Sequence, residues 1–184
     1  DYTFARVLGF ITKTVSAYAV VRRLAPVTTV YGDIMPWGIQ EADYSLGQGV
    51  TLKLDTASLQ NPNLDPTPGN FYALALGGTG GALYQNNIKW GYDGTLSVGD
   101  VVETETGELV GPTNQGVEYD PNTHDSLFEQ ASAAPWADDT WSTYDYGNPR
   151  IAIVPIISAI GHGHTEVTIL GLSLIHISEP TRPY

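Results

Sequence analysis

At 184 residues the chain is long enough to bury a core without covalent staples, and its lack of cysteine rules out disulfides, thiolate chemistry and cysteine-ligated zinc. Its formal net charge of -12 is unevenly placed: seventeen of the twenty acidic residues lie between Leu24 and Pro149, where Lys53 and Lys89 are the only basic ones. Such a surface repels phosphate backbones and anionic headgroups, which argues against nucleic acid and against electrostatic membrane binding.

Twenty glycines, twelve prolines and eleven tyrosines favour many turns and short strands over a helical bundle. The expected fold is mainly β, a β-rich α+β single domain of antiparallel strands, built as a sandwich or partly open barrel with one or two short helices. No apolar run reaches the ~18 residues that cross a bilayer. The chain starts at Asp1, in a strand-like pattern and without a signal peptide, and so reads as a fragment lacking an N-terminal piece.

In chain order, the spacing of Phe4, Val7, Leu8 and Ile11 predicts a short helical turn near Ala5 to Leu8, and the alternation of Val15, Ala17 and Ala19 predicts a strand from Thr14 to Val21. Pro36-Trp37-Gly38 reads as a turn whose tryptophan plugs the core. Tyr44 to Leu54 alternates like a half-buried strand, and the proline-rich Asp55 to Gly69 reads as a surface loop. Phe71 to Leu76 is expected as a strand. The glycine run Gly77 to Gly81 leads from it into a helix, Ala82 to Trp90, anchored by Leu83, Ile88 and Trp90 and capped by Thr79. Asp93-Gly94 marks a turn, Thr95 to Thr104 reads as two strands paired through a turn at Val98-Gly99-Asp100, and the hairpin-like run ends at Gly111-Pro112.

Beyond Glu118 the chain is polar, acidic and aromatic, with one helix expected over Ser126 to Ala134 and ordered loop elsewhere. Arg150 to Ile160 reads as a central strand with Pro155 at a bulge or edge. It joins Thr165 to Leu170 through the Gly161-His162-Gly163-His164 turn. At Ser173 the composition shifts abruptly, and Ser173 to Tyr184 reads as a non-native tail, although Leu174, Ile175 and Ile177 could continue the last strand. The domain proper is therefore taken as residues 1–172.

None of the motifs supplies a catalytic constellation, so no catalytic, cofactor-binding or metal-ligating residue is assigned. Gly77 to Gly81 occupies the place of a phosphate loop but lacks the Lys-Ser/Thr pair, and close backbone packing accounts for it better. His162 and His164 have the spacing of metal ligands, with Glu166 as the sole nearby third group. Asp120, Asn122, Asp125 and Glu129, with Asp138 and Asp139 beyond them, form an oxygen-rich region (Asp120 to Asp139) open to an irregular calcium site. The EF-hand pattern fails there, since its sixth and twelfth positions hold Asp125 and Ala131. Trp136, Trp141, Tyr144 and Tyr146 could stack on sugars. A secreted hydrolase using an Asp/Glu pair, or a calcium- or carbohydrate-binding adhesin, therefore stand as alternatives.

The clearest signal is a series of motifs in fixed order: Phe4-Ala5-Arg6-Val7-Leu8-Gly9, Pro36-Trp37-Gly38-Ile39, Gly69 to Gly80 (GNFYALALGGTG), Tyr84 to Gly94 (YQNNIKWGYDG), Val98-Gly99-Asp100 with Glu103-Thr104-Glu105, and Gly111-Pro112-Thr113. Pro149-Arg150-Ile151 to Ile157 and the Glu166-Val167 strand follow them. This series resembles the extracytoplasmic part of TadE/TadG-like Flp pilus-assembly proteins of bacteria over roughly Phe4 to Gly171, most specifically between Gly69 and Thr113. The resemblance implies a single N-terminal transmembrane helix preceding Asp1, an exported non-enzymatic domain at the cell surface or periplasm, and partners among pilus-assembly components or pilin. It implies no cofactor. Glu105-Thr106-Gly107 replaces the family's Glu-Pro-Gly, and Asp120 to Trp136 reads as an insertion of unassigned role.

Overall fold

The computed structural model describes residues 27–40, 72–107, 109–133, 135–139, 143–145, 147–161 and 163–177. The helical turn near Ala5 to Leu8, the strands over Thr14 to Val21 and Tyr44 to Leu54, and the Asp55 to Gly69 loop lie outside the described residues.

Among the described residues six strands and three helices follow in order: β1 (Thr29–Tyr31), β2 (Ile39–Gln40), α1 (Gly81–Trp90), β3 (Thr95–Ser97), β4 (Val101–Glu103), α2 (Val110–Val117), α3 (Leu127–Ala131), β5 (Ile151–Ile157) and β6 (Glu166–His176). Strand exceeds helix, as expected of a β-rich α+β fold, and among the described residues the sheets do not close into a barrel. β1 and β3 form an antiparallel ribbon, and the second sheet has the order β2-β5-β6-β4. Its pairs are antiparallel except β2 with β5, which run parallel.

The β5–β6 hairpin is the spine. Seven residues of β5 pair with β6 from Ile151↔His176 to Ile157↔Ile169, so the expected central strand and hairpin are both present. The last strand runs unbroken through Ser173 to His176, and Ile177 is buried, so the compositional shift at Ser173 is not a break in the fold. Between Gly171 and Ile169 the register skips Leu170, a bulge that leaves one extra residue on β6. Because strand side chains alternate, that residue reverses which face each later side chain meets. Val167 and Ile169 before it, and Leu172 after it, join a cluster with Ile34, Leu74, Leu76, Leu96 and Ile157. Ile175 and Ile177 join the other cluster, with Ala152, Val154, Trp37, Tyr84, Ile88 and Phe128. The sheet is thus apolar on both faces.

The chain segments around β4 correct the expected hairpin. The turn at Val98-Gly99-Asp100 exists, fixed by Asp100 Oδ2 accepting from the Ser97 N–H at 2.7 Å. It does not pair the strands it joins: β3 goes to β1, and β4 to β6. The backbone at Gly99 and Asp100 is claimed instead by Ile169, which bonds both, so the chain passes from one sheet to the other at this corner. Residues 72–75 are likewise not a regular strand. Tyr72 has φ 66°, and Ala73 and Leu74 make single bridges to Trp37 and Thr104, stitching two segments together.

α1 forms where expected, but its buried face is Tyr84, Asn87, Ile88 and Lys89, while Trp90 is exposed. Gly111-Pro112, expected to end the hairpin-like run, instead lies in the first turn of α2, a third helix. Proline is tolerated there because first-turn N–H groups have no intrahelical acceptor, and Leu109 turns the chain into the helix with φ 48°. α2 crosses α1 closely at Gly116, where a Cβ would fall 2.8 Å from the Ile88 Cβ. The segment read as an insertion, Asp120 to Trp136, contributes to the core through Leu127, Phe128 and Ala131 of α3. α3 is shorter than expected and starts at Ser126 with a reciprocal capping box, Ser126 accepting from the Glu129 N–H and Glu129 from the Ser126 N–H.

Candidate functional site

Lys89 is one of two basic residues in a long acidic stretch, and α1 places it on the helix's inward side, only 8% exposed. A buried ammonium requires counter-charge and acceptors. The segment after α2 supplies them. Lys89 Nζ donates to Asp120 Oδ2 at 2.6 Å, to Thr123 Oγ1 at 3.0 Å and to Asp125 Oδ1. Asp120 is buried and further held by Gln85 Nε2 (3.0 Å to Oδ2) and by the Asn122 N–H (2.9 Å to Oδ1). Gln130 clamps the periphery, its amide donating to the carbonyls of Lys89 and Asp125.

Electrostatics follow from those contacts. Burial alone would lower the Lys89 pKa, but the bonds to Asp120 and Asp125 outweigh it and raise it above the ordinary lysine value. The Lys89 ammonium beside Asp120, with help from the Asn122 N–H, holds that carboxyl well below the usual range. Lys89 and then Thr123 lower Asp125 in the same way. For Glu129 burial pulls upward, yet Ser126 and the Asp120 N–H overcome it and hold the group at about 2. The resting cluster is an ammonium between two carboxylates.

This arrangement revises the oxygen-rich region proposed for calcium. Lys89 takes the cation's place between Asp120 and Asp125, Glu129 is spent on the α3 cap, and Asp139 accepts from the Asp145 N–H (3.0 Å) and from Asn148 (2.8 Å). Among the described residues no group of three or more His, Asp or Glu could hold a metal ion. His162 lies outside the described residues, and His164 is half exposed, with Nε2 3.4 Å from Glu103.

The glycine run is also filled from within. The capping position before α1 is Gly80, with no side-chain cap, so Thr79 does not cap the helix. The buried Glu105 carboxylate instead accepts from the Gly80 N–H at 2.7 Å, placing a protein anion where a phosphate would sit. Trp37 plugs the core as expected, and its Nε1 donates to the Tyr84 hydroxyl at 2.7 Å. Burial raises the Tyr84 pKa, so the phenol stays protonated.

Two clefts border these features. One of about 380 Å³ lies between Leu76–Gly78 and the β3–β4 corner and includes Asp100 and Glu103. The other, about 300 Å³, is bordered by Trp90, Tyr144, Asn148 and Leu174. Asp100 is engaged by its own turn, and Asn148 bonds Asp139 and the Arg150 N–H. Of the aromatic residues considered for sugar stacking, Trp141 and Tyr146 lie outside the described residues. The Lys89 cluster was not singled out by sequence reasoning. The available signal was an isolated lysine in an acidic stretch, placed one residue after a core isoleucine. Comparison with known proteins finds no matching family model, no matching curated protein and no matching solved structure.

Proposed function

We propose that the chain is the exported part of a membrane-anchored TadE/TadG-like protein, a non-enzymatic domain that acts in assembling or anchoring Tad-type (Flp) pili. The observation that carries this reading is the ordered motif series from Pro36-Trp37-Gly38 through Gly111-Pro112-Thr113. Support comes from the use the fold makes of those motifs. Leu74 bonds Pro36 and Gly38 bonds Tyr72, while Ala75 and Glu105 pair residues 73–75 with the Glu103-Thr104-Glu105 motif. Glu105 reaches Gly80, Trp37 reaches Tyr84, and Tyr84 lies 3.3 Å from Thr113. Residues shared as a signature are thereby employed as architecture, which suits a structural component better than an enzyme.

We read the architecture as an open sandwich, with the β1–β3 ribbon on one face of the four-stranded sheet and the helices on the other. In the parent protein an N-terminal transmembrane helix tethers this domain outside the cytoplasm, where pilin or other assembly components are its partners. The test is deletion of the parent gene. Cells should still make pilin yet lose surface pili, and recover them with the anchored protein. Normal piliation of the deletion strain refutes the reading, and turnover of glycosides or peptides by the purified chain would replace it with a hydrolase.

A further inference from the structure

We propose that Lys89 and Asp120 condense into an isopeptide bond, a side-chain amide that ties the end of α1 to the segment following α2. The pair has the parts such a reaction needs. Lys89 Nζ, the nucleophile, lies 2.6 Å from an oxygen of a carboxyl whose residue, like its own, is buried. Two donors aim at the electrophile, the Asn122 N–H at Oδ1 and the Gln85 amide at Oδ2, and they polarise the carboxyl and stabilise the oxyanion formed on attack. A second carboxylate, Asp125, touches the same nitrogen and can take and return its protons.

The chemistry balances without an outside reagent. Asp125 accepts a proton from the ammonium and passes it to Asp120, leaving a neutral amine and a carboxylic acid. The nitrogen lone pair forms the N–Cγ bond. The tetrahedral adduct then expels one Asp120 oxygen as water, with a second proton carried from nitrogen by Asp125, which ends as the carboxylate it began as. An ammonium and a carboxylate thus become an amide and one water.

Two features favour this product. Fixed contact replaces a bimolecular encounter, an advantage of about 10⁵ to 10⁸ M in effective concentration. The neutral-amine state is a minority in the resting ion pair, but a reaction that occurs once per molecule does not need it to be common. Next, residue 121 is proline and has no N–H, so the Asp120 carboxyl cannot cyclise onto the following amide nitrogen. The usual side reaction of an activated aspartate is closed, and Lys89 is the amine in contact.

The readout is the intact mass of the purified full chain after incubation at neutral pH, followed by proteolysis and tandem mass spectrometry. We expect a species lighter than the sequence mass by one water, yielding a branched peptide that joins Lys89 to Asp120. Asp93-Gly94 could also lose a water by cyclising on itself, so K89R serves as control: it keeps the charge pair but should give no branched peptide, and any water it loses should map to Asp93. D125A, folded by near-ultraviolet circular dichroism, should likewise give no branched peptide. Wild type without the Lys89–Asp120 branched peptide, a K89R chain that loses a water at Asp120, a branch at Asp125, or cleavage between Asp120 and Pro121 each overturns the proposal. Condensation of D125A at the wild-type rate overturns the proton-transfer role.

Discussion

Gly91 ends α1 at a point where the fold leaves no room for a side chain. Its φ is 74°, and a Cβ placed there would fall 2.6 Å from the Asp33 Cα and 2.9 Å from the Asp33 carbonyl carbon. These are backbone atoms, and the segment bearing them is tied on both sides, Ile34 accepting from the Tyr92 N–H and Asp33 from the Ile153 N–H. Gly91→Ala therefore meets two costs. With ψ 155° the backbone sits in a positive-φ region nearly confined to glycine, which costs an L-residue about 1–3 kcal/mol, and forced overpacking costs about 1–3 kcal/mol more. Gly99→Ala is the matched control, since Gly99 has φ 95° but nothing within 4 Å of the added atom. Reduced freedom of the unfolded chain is common to both substitutions and cancels in the comparison. In urea unfolding, with a slope of about 2 kcal/mol/M, the Gly91 variant should have a midpoint lower than the Gly99 variant by roughly 0.5–1.5 M. Equal midpoints would refute the packing argument.

Tyr84→Phe removes the acceptor of the Trp37 indole N–H inside the core, so it should destabilise by about 1–3 kcal/mol in the same assay. A variant as stable as wild type would show that the hydroxyl is dispensable. Acid should weaken the fold through its depressed carboxyls. Glu129 titrates at about 2 when folded against an ordinary 4.5, and Asp120, Asp125 and Asp139 are also lowered. A depressed folded pKa gives stability that is complete above the unfolded value and is lost as pH falls through the folded one. The urea midpoint should thus be level near neutrality and drop between about 4.5 and about 2, with a shallower drop in Glu129→Gln; a flat profile contradicts the assignment.

The elements legible in the sequence were those decided locally. Continuous apolar character marked β5, alternation marked the start of β6, and the Gly run followed by an amphipathic pattern marked α1. Ser126 with Glu129 three residues on signals a capping box, and the helix is there. What misled was longer in range. The Val98-Gly99-Asp100 turn looks like any hairpin turn, and only Ile169, seventy residues on, diverts its two strands into different sheets. Val110 to Val117 carries two glycines and a proline, and nothing local marks it as a helix. Its second glycine makes sense only against Ile88. The acidic residues after Glu118 read as solvent or metal ligands because Lys89, their partner, lies about thirty residues upstream and carries no local mark of burial.

The extra residue at Leu170 also bears on how the protein comes apart. β6 contributes to both apolar clusters, its facing reversing at that point, so the two clusters depend on the same strand. Losing either one would withdraw half of β6 and break its ladder with β5, leaving the remaining cluster with an uncovered side. The two clusters among the described residues are therefore expected to unfold in one transition.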